Sequence, residues 1–89
     1  MKIPNKRPPS HPGEILLEDF LKPMQVSRRV LAEAIHVPDQ HVSELINSKR
    51  SITPSTARLL SIFFGNSPGF WLNLQQVWEL YHAMEYDEQ

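Results

Sequence analysis

Apolar residues recur at every third or fourth position through the middle of the chain, with one short interruption. Leu31, Ala34 and Ile35 have this spacing, and after a turn at residues 36–38 the same spacing recurs from Val42 onward. Such spacing gives a helix one apolar side, so residues 27–46 are predicted to form two short helices joined by a tight turn. Isolated helices shorter than about 12–15 residues are marginal in water, and this pair must therefore share a core with other elements.

Polar residues and prolines mark where these helices begin. Ser27 is placed to cap the first helix, because a serine oxygen can accept a hydrogen bond from a free N–H of the first turn. Pro38 can occupy the first turn of the second helix, where its missing N–H costs nothing. An earlier helix is predicted to start at Pro12 and to end near Lys22, before Pro23.

Two helices follow the central pair. Thr53 and Ser67 each precede a proline, which is the pattern of a capping residue and a first helical position. Gly65 is placed to end the earlier helix in a left-handed conformation, so that helix should span about 54–64. No alternating run or hairpin turn indicates a strand. The predicted fold class is all-α, with five helices.

Length and composition allow one domain. With 89 residues and 40% hydrophobic content, the chain can build one compact core but not two, and it has little room for a buried catalytic cleft. Residues 1–10 are rich in proline and basic side chains and are predicted to form a flexible arm. Residues 11–89 then form the single domain, and its last helix is the predicted dimerisation element.

The last helix carries more apolar surface than one small domain needs. At about 100° per residue, its apolar side chains spread over roughly half of the circumference, wider than the ~100° stripe that packs on one neighbour. One explanation is that the other four helices wrap around it. Because Trp and Tyr favour interface centres, we instead predict a homodimer interface that contains Trp71, Leu74, Trp78 and Tyr81, although some of these side chains must close the monomer core.

Charge is distributed unevenly along the chain, although the net charge is only −1. Residues 1–58 hold all nine Lys and Arg and six acids, a net charge of +3, whereas residues 59–89 hold four acids and no base. The small net charge argues against an indiscriminate binder of polyanions. The asymmetry is compatible with a nucleic-acid face on the first half and another task for the second half.

Residue types exclude several classes of protein. There is no cysteine, and no run of about 18 apolar residues or signal-peptide core is present, so we expect a soluble cytoplasmic protein. The four histidines lack metal-ligand spacing, and no glycine-rich phosphate loop or nucleophile motif occurs. We therefore expect no metal, no cofactor and no enzymatic activity.

The two central helices have the pattern of a DNA-binding helix–turn–helix. The second helix offers short polar side chains near its start, which can reach base edges if this helix enters a major groove. Basic residues flank them on both sides and can bind phosphates. Each residue alone could be an ordinary solvated side chain, but the cluster favours DNA binding. The candidate residues are Arg28, Arg29, Asp39, Gln40, His41, Ser43, Asn47, Lys49 and Arg50.

Segments along most of the chain resemble one bacterial family. The motifs HPGEIL near the start and FFG-x-SP-x-FWLNLQ near the end, together with the central HVPDQHVSELINSKR, are similar to the HigA-type antitoxins of toxin–antitoxin modules, within the Cro/C1-like XRE helix–turn–helix proteins. The resemblance implies a five-helix lambda-repressor-like domain, dimerisation, operator binding at the module's own promoter, and neutralisation of a HigB-like ribonuclease toxin.

The resemblance also assigns roles to positions. The family's base-contacting positions fall on Asp39, Gln40 and Ser43, with Arg28 where the family often has glutamine. His41, Asn47, Lys49 and Arg50 fall on supporting or phosphate-contacting positions. This chain departs from the family at three positions: His36 replaces a glycine of the turn, Pro38 a capping Ser or Thr, and Asp39 a basic or neutral polar residue.

The sequence is also compatible with two alternatives to an autoregulating antitoxin. One is a phage-type repressor without a toxin, and another is a protein-interaction module with little DNA binding, which the −1 charge and Asp39 favour. If a basic toxin is the partner, the acidic residues 59–89 are its expected site, and the N-terminal arm is the competing site.

Overall fold

The computed structural model describes residues 8–87, with side chains up to residue 85. Within these residues there are helices and no strands, so the predicted all-α fold of five helices is confirmed. The predicted arm at residues 1–10 lies mostly outside the described residues. We number the helices α1 (residues 12–24), α2 (Arg28–Ala34), α3 (Asp39–Ile46), α4 (Pro54–Phe64) and α5 (Pro68–Asp87).

One hydrophobic core holds the five helices together. Its members come from all five helices and from the connections after α2 and α3, and each is at most 3% exposed. Such burial removes water from the inner face of every helix, which stabilises helices that are individually too short to persist. The core residues are Leu16, Leu21, Leu31, Ala32, Ile35, Val42, Leu45, Ile52, Ala57, Leu60 and Trp71.

The predicted helix starts are confirmed by hydrogen bonds at three helices. The Ser27 hydroxyl oxygen accepts from the N–H of Val30 at 3.1 Å, and the Ser67 hydroxyl oxygen accepts from Phe70 at the same distance. Thr53 caps α4 in the same manner. Gly65 has φ of 76° and ends α4 at the predicted position. Pro38 differs from its prediction, because it precedes α3 as the cap residue and the helix starts at Asp39.

Helix α1 runs further than predicted. It contains a π-helical turn at Leu16–Leu21, in which the N–H of Lys22 donates to the carbonyl of Leu17, and it then continues through Lys22–Met24. The predicted end near Lys22 is therefore wrong. A proline disrupts an α-helix by clashing with the carbonyl four residues earlier, and the wider π turn changes that spacing just before Pro23.

Three helices are followed, within two residues of their last turn, by a residue other than glycine in the left-handed conformation. These residues are Gln25 (φ 57°), His36 (φ 61°) and Ser48 (φ 61°). At each of them the next N–H returns to a carbonyl five residues earlier, as in Val37 to Ala32 at 3.0 Å. This is the Schellman arrangement, which usually has glycine at the left-handed position. His36, which replaces the family's glycine in the turn, thus adopts the conformation that glycine takes most readily.

Trp71 belongs to the monomer core. Its side chain is 0% exposed, its ring centroid lies 4.9 Å from that of Phe20, and its indole N–H donates to Asn66 Oδ1 at 3.0 Å. The assignment of Trp71 to a dimer interface is therefore wrong, because α1 and α4 already cover this side of α5. Among residues 8–87, no helix combines the length and hydropathy that a membrane crossing requires.

Candidate nucleic-acid interface

Helices α2 and α3 form the predicted helix–turn–helix. Buried Leu31 and Ile35 on one side and Val42 and Leu45 on the other bring the two helices together over the core. The turn between them is fixed by the left-handed His36 and its flanking backbone hydrogen bonds. Packing thus leaves the polar sides of both helices available on the surface.

The start of α3 is tied to the start of α2 by an ion pair. Arg28 Nε donates to Asp39 Oδ1 at 3.1 Å, and both side chains are more than 40% exposed. Exposed pairs contribute little to stability, about 0–1 kcal/mol. Their importance here is electrostatic and geometric: the guanidinium offsets the acid that would otherwise repel phosphate, and each side chain fixes the orientation of the other.

A second cluster lies further along α3 and was not predicted. Gln40 Nε2 donates to Glu44 Oε2 at 3.1 Å, while Arg50 approaches the other carboxylate oxygen, Oε1, through Nη2 at 2.7 Å and Nε at 2.9 Å. The hydrogen bonds from Arg50 and then Gln40 lower the pKa of Glu44, which keeps this carboxylate ionised. The i, i+4 spacing of Gln40 and Glu44 is the one sequence signal that points to it.

Two of the predicted polar residues turn toward the protein. His41 is half-buried, and its Nε2 is buried without a hydrogen-bond partner among the described residues. Burial, with help from the nearby Arg50 charge, lowers the pKa of His41 and favours the neutral ring. Asn47 is exposed, but its Nδ2 donates to the Ser43 carbonyl at 2.8 Å, which closes the end of α3. Both residues shape the surface around α3.

The remaining basic residues face solvent at the edges of the motif. Arg29 is exposed in the first turn of α2, and Lys49 is exposed in the connection after α3. That connection is held by Gln75, a residue the sequence did not single out: its Oε1 accepts from the N–H of Ile52 at 2.8 Å, and it is 5% exposed. A buried side chain of α5 therefore fixes the segment that carries Lys49 and Arg50.

Contacts join four of the predicted DNA-binding residues: Arg28 pairs with Asp39, and Gln40 and Arg50 share Glu44. Gln40 is exposed on α3, and exposed cations precede it in α2 and follow it in the connection after α3. Such an arrangement suits DNA, since base edges are recognised by hydrogen bonds while phosphates position the protein. No group of three or more candidate metal ligands occurs within the described part of the chain.

A separate apolar stripe lies on α5. Val77 (54% exposed), Leu80 (58%) and Met84 (44%) follow one another at helical spacing and face solvent. Among the predicted interface residues, Leu74, Trp78 and Tyr81 are half-buried. The ring of Trp78 packs edge-on against His11 at 4.9 Å and lies 4.3 Å from that of His82, so part of its surface serves the monomer.

Comparison with known proteins identifies the family. Residues 17–71 match the helix-turn-helix family. The chain is similar to virulence-associated protein I of Dichelobacter nodosus, at 44% identity over all of this chain and 84% of that protein. It is also similar to antitoxin HigA-1 of Vibrio cholerae, at 42% identity over 85% of this chain and 71% of that protein.

A solved structure agrees with both sequence comparisons. The antitoxin HigA of Pseudomonas aeruginosa with the higBA promoter superposes with a TM-score of 0.87 at 35% identity, covering 90% of this chain and 87% of that one. The matched proteins are named as antitoxins and virulence-associated proteins, in agreement with the expectation that this chain is not an enzyme. The chain belongs to the helix–turn–helix family and, within it, to the HigA-type antitoxins.

Proposed function

We propose that this protein is an antitoxin that binds operator DNA at the promoter of its own toxin–antitoxin module and neutralises a HigB-like ribonuclease toxin. The observation that carries the DNA-binding part is the polar edge of α3 with exposed cations on both sides. Acting on the bacterial chromosome or a plasmid, it works in the cytoplasm. The neighbouring gene is expected to encode the toxin, which distinguishes this function from that of a phage-type repressor.

In the proposed complex α3 lies in the major groove. Its N-terminal residues Asp39, Gln40 and Ser43 face base edges, and Gln40 is the most accessible of them. Arg29 and Lys49 bind phosphates on either side. The Arg28 guanidinium offsets the charge of Asp39, with 3.1 Å between them, so this acid does not prevent the approach of the phosphate backbone.

Operator binding by this surface requires a dimer. The exposed stripe of Val77, Leu80 and Met84, extended by the half-buried Leu74 and Tyr81, supports an isologous contact between two copies of α5. Two recognition helices related by that symmetry would contact half-sites about one helical turn apart, ~34 Å.

Substitutions on the two sides of the surface test the assignment of roles. Gln40→Ala should lower the preference for operator over random duplex, since a good base contact is worth roughly 1–3 kcal/mol. Lys49→Ala should instead weaken binding to all sequences alike and reduce the salt slope by about one unit. Fluorescence anisotropy on promoter DNA measures both. Wild-type protein that binds promoter and random duplex equally at moderate salt would contradict the proposed function.

The toxin is proposed to bind outside the helix–turn–helix, on the acidic second half of the chain. Residues 59–89 hold four acids and no base, and Glu79 and Glu85 are exposed. A ribonuclease needs a positive surface for RNA, and complementary charge speeds association.

Charge reversal tests where the toxin binds. Changing Glu85, Asp87 and Glu88 to lysine should slow toxin association about tenfold or more at low salt and weaken its salt dependence, because steering depends on opposite charge. Operator affinity should stay nearly unchanged. Stopped-flow mixing gives the rate. The matched control is deletion of residues 1–10, which should affect neither quantity; if that deletion alone abolishes toxin capture, the proposed site is wrong.

A further inference from the structure

Glu44 contacts both Gln40, the proposed base-contacting residue, and Arg50, which the resemblance places at a supporting or phosphate-contacting position. Its Oε2 accepts from Gln40 Nε2 at 3.1 Å. Its Oε1 accepts from Arg50 Nε at 2.9 Å and lies 2.7 Å from Arg50 Nη2. Gln40 is four residues earlier on the same helix, whereas Arg50 returns to the carboxylate from the connection that follows. The two contacts use different oxygens, so they form together.

The contact with Glu44 determines which end of the Gln40 amide faces which way. A carboxylate accepts hydrogen bonds but cannot donate them, so it attracts the amide nitrogen and repels the amide oxygen. One N–H of Gln40 is thereby engaged, and the second N–H and the oxygen remain for a base. A fixed donor and acceptor order is what distinguishes one base edge from another in the major groove.

The same carboxylate partly neutralises the charge of Arg50. The Nε–H of the guanidinium donates to Oε1, and Nη2 lies 2.7 Å from the same oxygen, so the carboxylate occupies one edge of the guanidinium. The pair also places a negative charge next to the cation. Arg50 therefore acts on phosphate as part of a nearly neutral pair rather than as a free cation.

We propose that Glu44 is a specificity-determining positioning residue: it orients the amide of Gln40 for the base edge and partly neutralises the charge of Arg50. Glu44 thereby raises the preference for operator over random DNA and lowers the affinity for random DNA. This inference rests on the proposed operator binding. Loss of this carboxylate should lower the preference for operator and raise the affinity for random duplex. A residue that only supports the fold would not produce these two opposite effects.

The test is Glu44→Gln, measured by anisotropy titrations on operator and on random duplex over a range of salt concentrations. A neutral amide at position 44 can accept from the Gln40 nitrogen or donate to the Gln40 oxygen, so the orientation of Gln40 is no longer fixed. The ratio of operator affinity to random-duplex affinity should fall about tenfold, within the range expected for one good base contact. Arg50, released from its partner, should strengthen binding to random duplex and steepen its salt slope by up to about one unit.

Two variants separate charge from positioning. Glu33→Gln removes the same charge from the exposed face of α2, and it should raise affinity for both duplexes and leave their ratio unchanged. Glu44→Asp keeps the charge but shortens the reach of the carboxylate. It should lower the ratio while leaving the salt slope near that of wild type.

A double substitution identifies the side chain through which Glu44 acts. In a Gln40→Ala background, Glu44→Gln should no longer change the ratio, because the amide it orients is gone. The inference is overturned if Glu44→Gln matches Glu33→Gln, or if it lowers both affinities together with the melting temperature. Those outcomes leave the proposed function intact, which fails only if the wild-type protein does not prefer its operator.

Discussion

Single side chains decide how the functional surface is arranged, and the sequence revealed only some of them. Ser27 was identifiable as a cap because its hydrogen bond spans three residues. The contacts of Glu44 with Arg50 and of Gln75 with Ile52 were not identifiable, since these partners reach them through the fold rather than along one helix. Contacts within one or two turns follow from local spacing, whereas contacts between elements require the path of the chain.

His11 is a residue whose role depends on its protonation state. It is 6% exposed, its Nδ1 accepts from the N–H of Gly13 at 2.9 Å, and its ring packs against Trp78. Burial lowers the pKa of His11 below its ordinary value of 6.5, against a smaller opposing effect of Glu14. Only the unprotonated Nδ1 can accept this hydrogen bond, so the native state requires the neutral ring.

The stability of the protein should therefore fall as pH decreases. Above pH 6.5 the His11 ring is neutral in both the folded and the unfolded protein. Below pH 6.5 the ring takes up a proton in the unfolded chain, whereas the folded state, with its lower pKa, still keeps the ring neutral. The free energy of unfolding therefore falls until the pH reaches the pKa of the folded state. Urea unfolding at pH 7.5 and pH 5 measures this. His11→Asn keeps a capping acceptor without a titrating group, so its loss of stability over this range should be smaller. Equal losses in both proteins would contradict the role of His11.

At the scale of helices, apolar spacing and capping residues predicted the elements well, and the errors have identifiable causes. Helix α4 spans the predicted 54–64. Helix α1 passes its predicted end because the proline rule assumes α geometry, and a π turn precedes Pro23. Trp71 was misassigned because the apolar face of α5 is continuous around half of the helix, and the sequence cannot show which part the monomer buries.

The backbone of His36, in the turn between α2 and α3, is in a strained conformation that glycine would relieve. His36 adopts φ of 61°, a conformation that costs a residue with a Cβ roughly 1–2 kcal/mol relative to glycine, partly offset by the greater freedom of glycine in the unfolded chain.

His36→Gly should accordingly raise the free energy of unfolding by about 0.5–1 kcal/mol. The matched control is Ala34→Gly, at the exposed last position of α2, which should lower it by up to about 1 kcal/mol, the cost of glycine inside a helix. Chemical denaturation gives both values. If both substitutions destabilise the protein alike, the left-handed turn carries no such strain.

At the scale of the whole molecule, the proposed operator recognition requires two copies of the chain. The helix–turn–helix presents one recognition helix, and the exposed stripe on α5 is the proposed contact that adds the second. Leu80 is a sharper probe of this contact than Trp78, because Leu80 is 58% exposed whereas Trp78 packs on His11. Leu80→Glu should therefore give folded monomers, since a charge in a desolvated interface has no partner.

One titration tests both the proposed dimer and the spacing of its two recognition helices on DNA. Two duplexes carry the palindrome of the protein's own promoter, one with its natural half-site spacing and one with about 5 base pairs inserted, roughly half a helical turn. The insertion places the second half-site on the opposite side of the DNA from the second recognition helix. Leu80→Glu serves as the monomer control, and it should bind both duplexes with the same weak affinity.

Anisotropy on these duplexes tests the central claim, that this protein is an operator-binding dimer. We expect two chains per natural duplex, bound at least about 100-fold more tightly than random DNA, and loss of most of that preference on insertion. Equal affinity of the wild-type protein for the natural, the inserted and the random duplex would contradict the account.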